Sequence, residues 1–394
     1  MKTLTFYSNY FNHHQKALCD AFFALLGEGF TFVETMPMED FRSGMGWGED
    51  QPSYVLKTYE SAGNEERARR LALTSDLVIM GTAPEYYIEK RLLEDKVIFR
   101  YSERPLKEGF IKFFIPRLTK KYLHLHVRNK KRPIYVLAAS AYTAADFKKM
   151  FDSYPGKCYK FAYFPKHISD GFEKLYEEKC KVAQEAGAVT ILWTGRMIRL
   201  KRADLLIKAA ARLAGRGYDF RLKLIGDGDQ KDSLKKLADD LGIGGITSFE
   251  GFLSPDEARE RMGRAQIYAV TSNFLEGWGS VVYESLDAGC AVVASHACGA
   301  TPYLVTDQVT GLVYRSGSVS SLAAKLEMLI KDERLRHDLG KRAYEQMDEK
   351  WNPKEAANRV LGLYEALMRG EDTPYEDGPC SKAGILKNNW YKER

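Results

Sequence analysis

Short apolar runs alternate with helix-patterned stretches almost from end to end, and the alternation occurs twice. The first series holds "TLTFYS", "FTFVET", "DLVIMGT", "KVIFRYS", "IYVLAAS" and "KCYKFAYF". The second holds "AVTILWTG", "FRLKLIGDG", "ITSFEG", "AQIYAVTS", "CAVVAS" and "TGLVYR". Each run is apolar on both faces, as a strand covered by helices on both sides must be. Between most of them lie segments such as "KRADLLIKAAARLAGRG", with apolar residues three and four apart and a glycine-rich stop. Such alternation builds doubly wound α/β sheets. Two series predict two domains facing a cleft lined by strand C-terminal ends, where these sheets take ligands. The expected boundaries are 1–165 for the first domain, 166–187 for a charged linker region and 188–352 for the second domain. A last helix, about 353–370, is expected to return to the first domain, followed by a tail, 371–394, of little periodicity.

A length of 394 residues exceeds one ordinary core and agrees with two domains. No apolar run approaches the roughly 20 residues of a membrane span. The start, "MKTLTFYSNYFNHH", lacks a secretory leader's apolar segment and cleavage site and reads as a first buried strand. Six scattered cysteines form no C-x-x-C pair, which argues against a disulfide framework or structural zinc and for a reducing cytoplasm. The net charge of +6 is concentrated: segment 104–132 carries ten Lys/Arg against one acid, Glu108, which leaves the remainder net acidic.

Three stretches carry chemistry. In "TGRMIRLKRADLLIKAA" a strand ends beside Gly195, and Arg196 and Lys201 follow before a helix. Two cations there suit a phosphate-bearing ligand, although solvated surface cations look the same in sequence. In "LIGDGDQKDSLKKLA", Asp227 and Asp229 form a D-x-D that could hold Mg²⁺. Asp229 sits where a helix N-cap belongs, and a cap is the preferred reading, with no metal site. In "NFLEGWGSVVYESLDAGC", Glu276 lies in a loop and Glu284 inside the following helix, seven residues between them. A wholly helical span would separate them by about 12 Å, beyond the roughly 5–9.5 Å of a glycosidase carboxylate pair. Gly277 and Gly279 instead let backbone N–H groups approach a ligand, and the helix start favours an anion. Carboxylates flanking an anion site accept hydrogen bonds from hydroxyls on either side of it, as a nucleotide-sugar provides.

These stretches, with "ITSFEGFLSPDEARERMGRAQIYAVTSNFLEGWGSVVYESLDAGCAVVASHACGATPYLVTDQVTGLVY" and "WNPKEAANRVLGLYEALM", resemble the family 4 retaining glycosyltransferases of GT-B fold, with Glu276 and Glu284 as the E-x7-E motif. The resemblance covers the second half in order and spacing, and the first half only in outline. It implies two Rossmann-like domains and a metal-independent retaining hexosyltransferase. Its substrate would be a nucleotide-sugar, with UDP-sugar favoured and no cofactor. Arg196 and Lys201 would grip the diphosphate, Glu276 the transferred sugar, and Glu284 the ribose. Gly277, Trp278, Gly279 and Ser280 would line sugar and phosphate, and Gly226 and Phe252 the base. The acceptor would be a saccharide or lipid-linked saccharide of cell-envelope or capsule synthesis.

The first half departs from the family. "SNYFNHHQ" replaces a glycine-rich loop, so Asn12 and His13 are either phosphate or acceptor contacts or simple helix-start residues. "VIFRYSERP" stands where a histidine is common; Glu103 is the candidate stand-in, or else the partner of Arg100 or Arg104 in an ion pair. Arg202 stands where glycine is common. Segment 104–132 mixes its cations with Phe110, Phe113, Phe114, Ile115 and Leu118, and either docks on an anionic bilayer from the cytoplasmic side or forms a solvated basic face. No nucleic-acid module signature is present. An epimerase of the same fold, and a non-catalytic nucleotide-sugar-binding partner, are the alternative functions.

Overall fold

A computed structural model describes residues 1–38, 52–109, 111 and 114–392. The chain divides into two compact units, Met1–His167 with Lys350–Lys387, and Ile168–Glu349 with Asn388–Arg394. The first unit holds a seven-stranded sheet: β1 (Leu4–Ser8), β2 (Phe30–Glu34), β3 (Val55–Lys57), β4 (Leu77–Met80), β5 (Ile98–Ser102), β6 (Ile134–Ala138) and β7 (Cys158–Lys160). Their spatial order is β3-β2-β1-β4-β5-β6-β7, and neighbours run parallel. The second unit holds β8 (Val189–Thr194), β9 (Phe220–Ile225), β10 (Thr247–Gly251), β11 (Ile267–Val270), β12 (Ala291–Ser295) and β13 (Leu312–Tyr314). Their order is β10-β9-β8-β11-β12-β13, again all parallel.

Each of the twelve apolar runs is a strand, and strands such as β1, β2 and β12 are buried throughout. The sequence missed β3. It is a half-buried edge strand of three residues, too short to leave an apolar run. In each unit the strand order reverses beside the first strand, between β1 and β4 and between β8 and β11. Loops leaving the C-terminal ends of strands diverge at such a point and open a crevice.

Segment 166–187, expected as a linker, carries the helix Phe172–Ala186, ended by Gly187 in the left-handed region. Its charged composition concealed it. Lys179 is buried, and its ammonium bonds the carbonyls of Met262, Gly263 and Ala265 at 2.8, 3.0 and 2.8 Å, satisfying the end of the helix Pro255–Arg264. The helix Pro353–Met368 is capped by Asn352, whose Oδ1 accepts from Glu355 N, and it packs on the helix His13–Leu26. The tail beyond it is pinned to the edge of the first sheet. Cys380 N donates to Lys160 O, and Lys160 N to Ser381 O.

Candidate active site

The loops after β8, β9 and β11 meet at the switch point of the second sheet. The first two meet backbone to backbone. Met197 N donates to Asp227 O at 2.7 Å, and Gln230 N to Met197 O at 2.9 Å. Gly226, at φ +130°, lies so close that a Cβ there would sit 1.9 Å from Gly195 O. No side chain fits. Gly226 N also donates to Gly251 O at 2.6 Å, which brings Gly226 beside half-exposed Phe252.

The loop after β11 is stitched to the loop after β8. Thr271 Oγ1 donates to Lys201 O at 2.6 Å and Asn273 N to Leu200 O at 3.0 Å. Across this seam Lys201 Nζ meets Glu276 Oε2 at 2.5 Å, with side chains 16% and 15% exposed. Ser272 Oγ donates to the same carboxylate oxygen at 2.9 Å. Arg196 is exposed and, among the described residues, bonds no carboxylate.

Gly279, at φ +89°, precedes the helix Ser280–Asp287; a Cβ there would lie 2.4 Å from Cys298 Sγ. The thiol donates to Trp278 O at 3.0 Å, and Ala300 N donates to the same carbonyl at 2.9 Å. Trp278 is 1% exposed, and its indole N–H has no acceptor among the described residues. Glu284 stands in the second turn of the helix. Burial pushes its carboxyl above the ordinary range; Arg259 pulls it down, Asp287 pushes it up, and Lys201, near enough to be felt, pulls it down. Arg259 itself pairs with buried Asp287 at 3.3 Å.

The structure therefore brings Lys201, Glu276 and Gly277–Ser280 together, with Glu284 beneath. It adds Ser272 and Cys298, which the sequence did not single out. A serine at a strand end and a thiol in an apolar stretch leave no pattern, and only the glycine opposite Cys298 hinted at close contact. One expectation is corrected. Asp229 is not a helix cap: the helix is Lys231–Asp240, its N-cap is Gln230, and no side chain caps it. Met197 O takes the Gln230 N–H and shifts the start past Asp229. Asp227 pairs with Lys231 at 2.5 Å. Among the described residues no group of three or more His, Cys, Asp or Glu side chains could hold a metal ion.

In the first unit, Asn12 caps the helix His13–Leu26, its Oδ1 accepting from His14 N at 3.0 Å. The rings of His13 and His14 lie 3.9 Å apart. Glu103 accepts from Tyr163 Oη at 2.9 Å and lies 3.8 Å from Lys107. The arginines suggested as its partners go elsewhere, Arg100 to Glu85 at 2.6 Å and Arg104 to Asp146 at 3.1 Å. Glu103, Thr82, Ser102, Lys107 and Tyr163 border a cavity of about 440 Å³. Arg202, in the second unit, adopts φ +53°, a conformation glycine takes without strain, and pairs with Asp204. In segment 104–132, Phe110, Lys112 and Phe113 lie outside the described residues. Ile111 and Phe114 are strongly exposed just ahead of the helix Pro116–Tyr122, which ends in Lys120 and Lys121.

Comparison with known proteins finds similarity over the segment that carries this site. Residues 177–346 match the model for glycosyl transferases group 1. Within these residues the chain is similar to the group 1 glycosyltransferases. A lipopolysaccharide core biosynthesis glycosyltransferase, LpsE of Rhizobium meliloti (strain 1021), is 31% identical over 170 residues, 43% of this chain and 48% of that protein. The D-inositol 3-phosphate glycosyltransferase of Corynebacterium aurimucosum is 31% identical over 185 residues, 45% of this chain and 43% of that protein. The chain thus spans about half the length of these relatives. The fold extends further. The crystal structure of Anabaena Alr3699/HepE in complex with UDP matches 94% of this chain and 100% of that chain, with a TM-score of 0.68 and 17% identity. The two parallel sheets are those of a GT-B-like glycosyltransferase fold. Among the described residues no helix is long and apolar enough to cross a membrane.

Proposed function

We propose that this chain is a retaining glycosyltransferase that moves a sugar from a nucleotide-sugar, most simply a UDP-sugar, to a saccharide or lipid-linked saccharide of the cell envelope. The observation that carries the proposal is the Lys201–Glu276 pair at 2.5 Å, held between two switch-point loops beside a glycine that admits no side chain. Each ion neutralises the other. A nucleotide-sugar replaces both halves: its diphosphate takes Lys201 and Arg196, and its sugar hydroxyls take Glu276. The buried Trp278 N–H, with no acceptor among the described residues, is a further polar group for a ligand to satisfy, and the ribose suits the Glu284 carboxyl. UDP bound to HepE supports the choice of uridine.

In the transfer, the acceptor oxygen forms a bond to the anomeric carbon on the face the diphosphate leaves. The carbon–oxygen bond to phosphate breaks and its electron pair stays with the diphosphate. The acceptor proton passes to a phosphate oxygen. Lys201 and Arg196 stabilise the charge that develops there. The acceptor hydroxyl falls to Glu103 in this reading, because Tyr163 already orients its carboxylate. The exposed Ile111 and Phe114 beside Arg117, Lys120 and Lys121 suit a peripheral hold on an anionic bilayer, where a lipid-linked acceptor would be met.

The test is a transfer assay with a panel of nucleotide-sugars and the Lys201→Ala and Glu276→Ala variants. Each should lose about a hundredfold or more in rate while melting as a folded protein, and EDTA should leave the unaltered chain active. Full activity in either variant, or EDTA inhibition restored by Mg²⁺, contradicts the reading. Donor incubated alone and converted to an isomer would indicate an epimerase.

A further inference from the structure

The loop that carries Glu276 is braced from behind by a segment outside the family match. Phe274, two residues before Glu276, sets its ring edge-on to His296, centroids 5.3 Å apart at 89°. His296 follows β12 directly and is 7% exposed. Strand β13 fixes it from one side: His296 N donates to Tyr314 O at 3.1 Å, and its Nδ1 accepts from Ser316 N at 2.9 Å. Residues 388–392 fix it from the other. Trp390 Nε1 donates to His296 O at 3.1 Å, and the rings of Trp390 and Tyr391 lie 6.3 and 5.9 Å from the imidazole. Tyr391 Oη is tied to Val313 O at 2.6 Å, so this bracket is anchored to the sheet itself.

We infer that segment 388–392 is a working part of the nucleotide-sugar site: Trp390 and Tyr391 clamp His296, which holds Phe274 and thereby sets the loop presenting Glu276. They are positioning residues, acting through His296 and Phe274. This inference rests on the donor-site reading above. The loop's other attachments lie at its two ends, in the seam to Leu200 and Lys201 and at the Trp278 carbonyl, so the bracket supports its middle. An indole placed at a loop's support anchors well because it joins a large apolar face to a single N–H donor.

The experiment compares the unaltered chain, the Trp390→Ala/Tyr391→Ala double variant, and Trp390→Phe. Hydrogen exchange of amides 272–280 is read against those of helix Ala203–Ala214, and titrations use UDP and UDP-glucose as probes. In the double variant, loop amides should exchange several-fold faster while the reference helix keeps its rate. UDP-glucose should weaken by roughly five- to tenfold, the worth of a lost aromatic pair, and UDP by less, because UDP has no sugar for Glu276. Trp390→Phe keeps a ring but loses the N–H bond, and should fall between. Unchanged loop exchange and unchanged UDP-glucose affinity in the double variant would overturn the clamp. If the double variant melts as a whole, Trp390→Phe and Tyr391→Phe decide by the same loop readout. An unaltered chain that takes neither probe overturns the donor-site reading, with the clamp's exchange signature scored separately.

Discussion

The switch points of the two sheets share a main-chain clasp and differ in what is built around it. In the second unit the loops after β8 and β9 lock through main-chain atoms, with Met197 clasping Asp227 and Gln230, and Gly226 pressed on Gly195. In the first unit the loops after β1 and β2 also meet through main chain, Thr35 N and Met36 N donating to Asn9 O at 3.0 and 2.8 Å, but side chains are built around them: Gln15 reaches Ser8 at 3.2 Å and Asn12 caps its helix, while after β5 Tyr163 holds Glu103 and Arg104 grips Asp146. A main-chain contact as close as that of Gly226 with Gly195 tolerates many side chains around it but demands glycine at the contact. A side-chain clasp can be rebuilt with other residues. The first kind suits a ligand fragment shared by many enzymes, such as a nucleoside diphosphate. The second suits a partner that changes from enzyme to enzyme, such as an acceptor.

The sharpest way to break this contrast is Gly226→Ala. A Cβ 1.9 Å from Gly195 O, at φ +130°, leaves no room for relaxation. Denaturant unfolding should show a loss of roughly 3 kcal/mol or more; a loss below about 1 kcal/mol would mean the backbone clasp is soft. Next in size is Glu103→Gln. If the first unit serves the acceptor, kcat/KM for the acceptor should fall about tenfold, a lost charged hydrogen bond's worth, with nucleotide affinity unchanged. A matching loss of nucleotide affinity would erase the division between the units.

The smallest effect separates stability from function within the second unit. Burial raises the Glu284 carboxyl, so the folded state holds its proton more tightly than the unfolded chain. Stability therefore falls as pH rises from the ordinary carboxylate value through the raised one. Glu284→Gln should remove that fall and raise Tm at pH 7 by roughly 2–4 °C, the mark of about 1 kcal/mol in a domain of this size. It should also weaken nucleotide binding. A lower Tm would show that the carboxylate is well compensated by its neighbours Arg259 and Lys201.

The same contrast explains what could be read in advance. Covered parallel strands are apolar on both faces, so all but the edge strand Val55–Lys57 stood out. The cluster around Glu276 was legible because glycines at 277 and 279 and a helix start at Ser280 constrain the backbone there. The helix Phe172–Ala186 was not, because its buried anchor is Lys179, a residue that ordinarily signals solvent. Asp229 misled because a favourable cap residue lost its place to the Met197 clasp. In the first unit, the partners of Arg100 and Arg104 are Glu85 and Asp146, 15 and 42 residues away, and no local pattern predicts such pairs.

On the proposed function, Lys201 and Glu276 are partners only until a donor arrives. Titrating UDP and UDP-glucose into the unaltered chain and into Glu276→Ala tests this most directly. With its carboxylate gone, Lys201 is free for phosphate, so UDP should bind Glu276→Ala as tightly as the unaltered chain or more tightly. UDP-glucose should lose any advantage over UDP. A parallel loss of both ligands would contradict the account, because it would mean that Glu276 holds the loop together rather than the sugar.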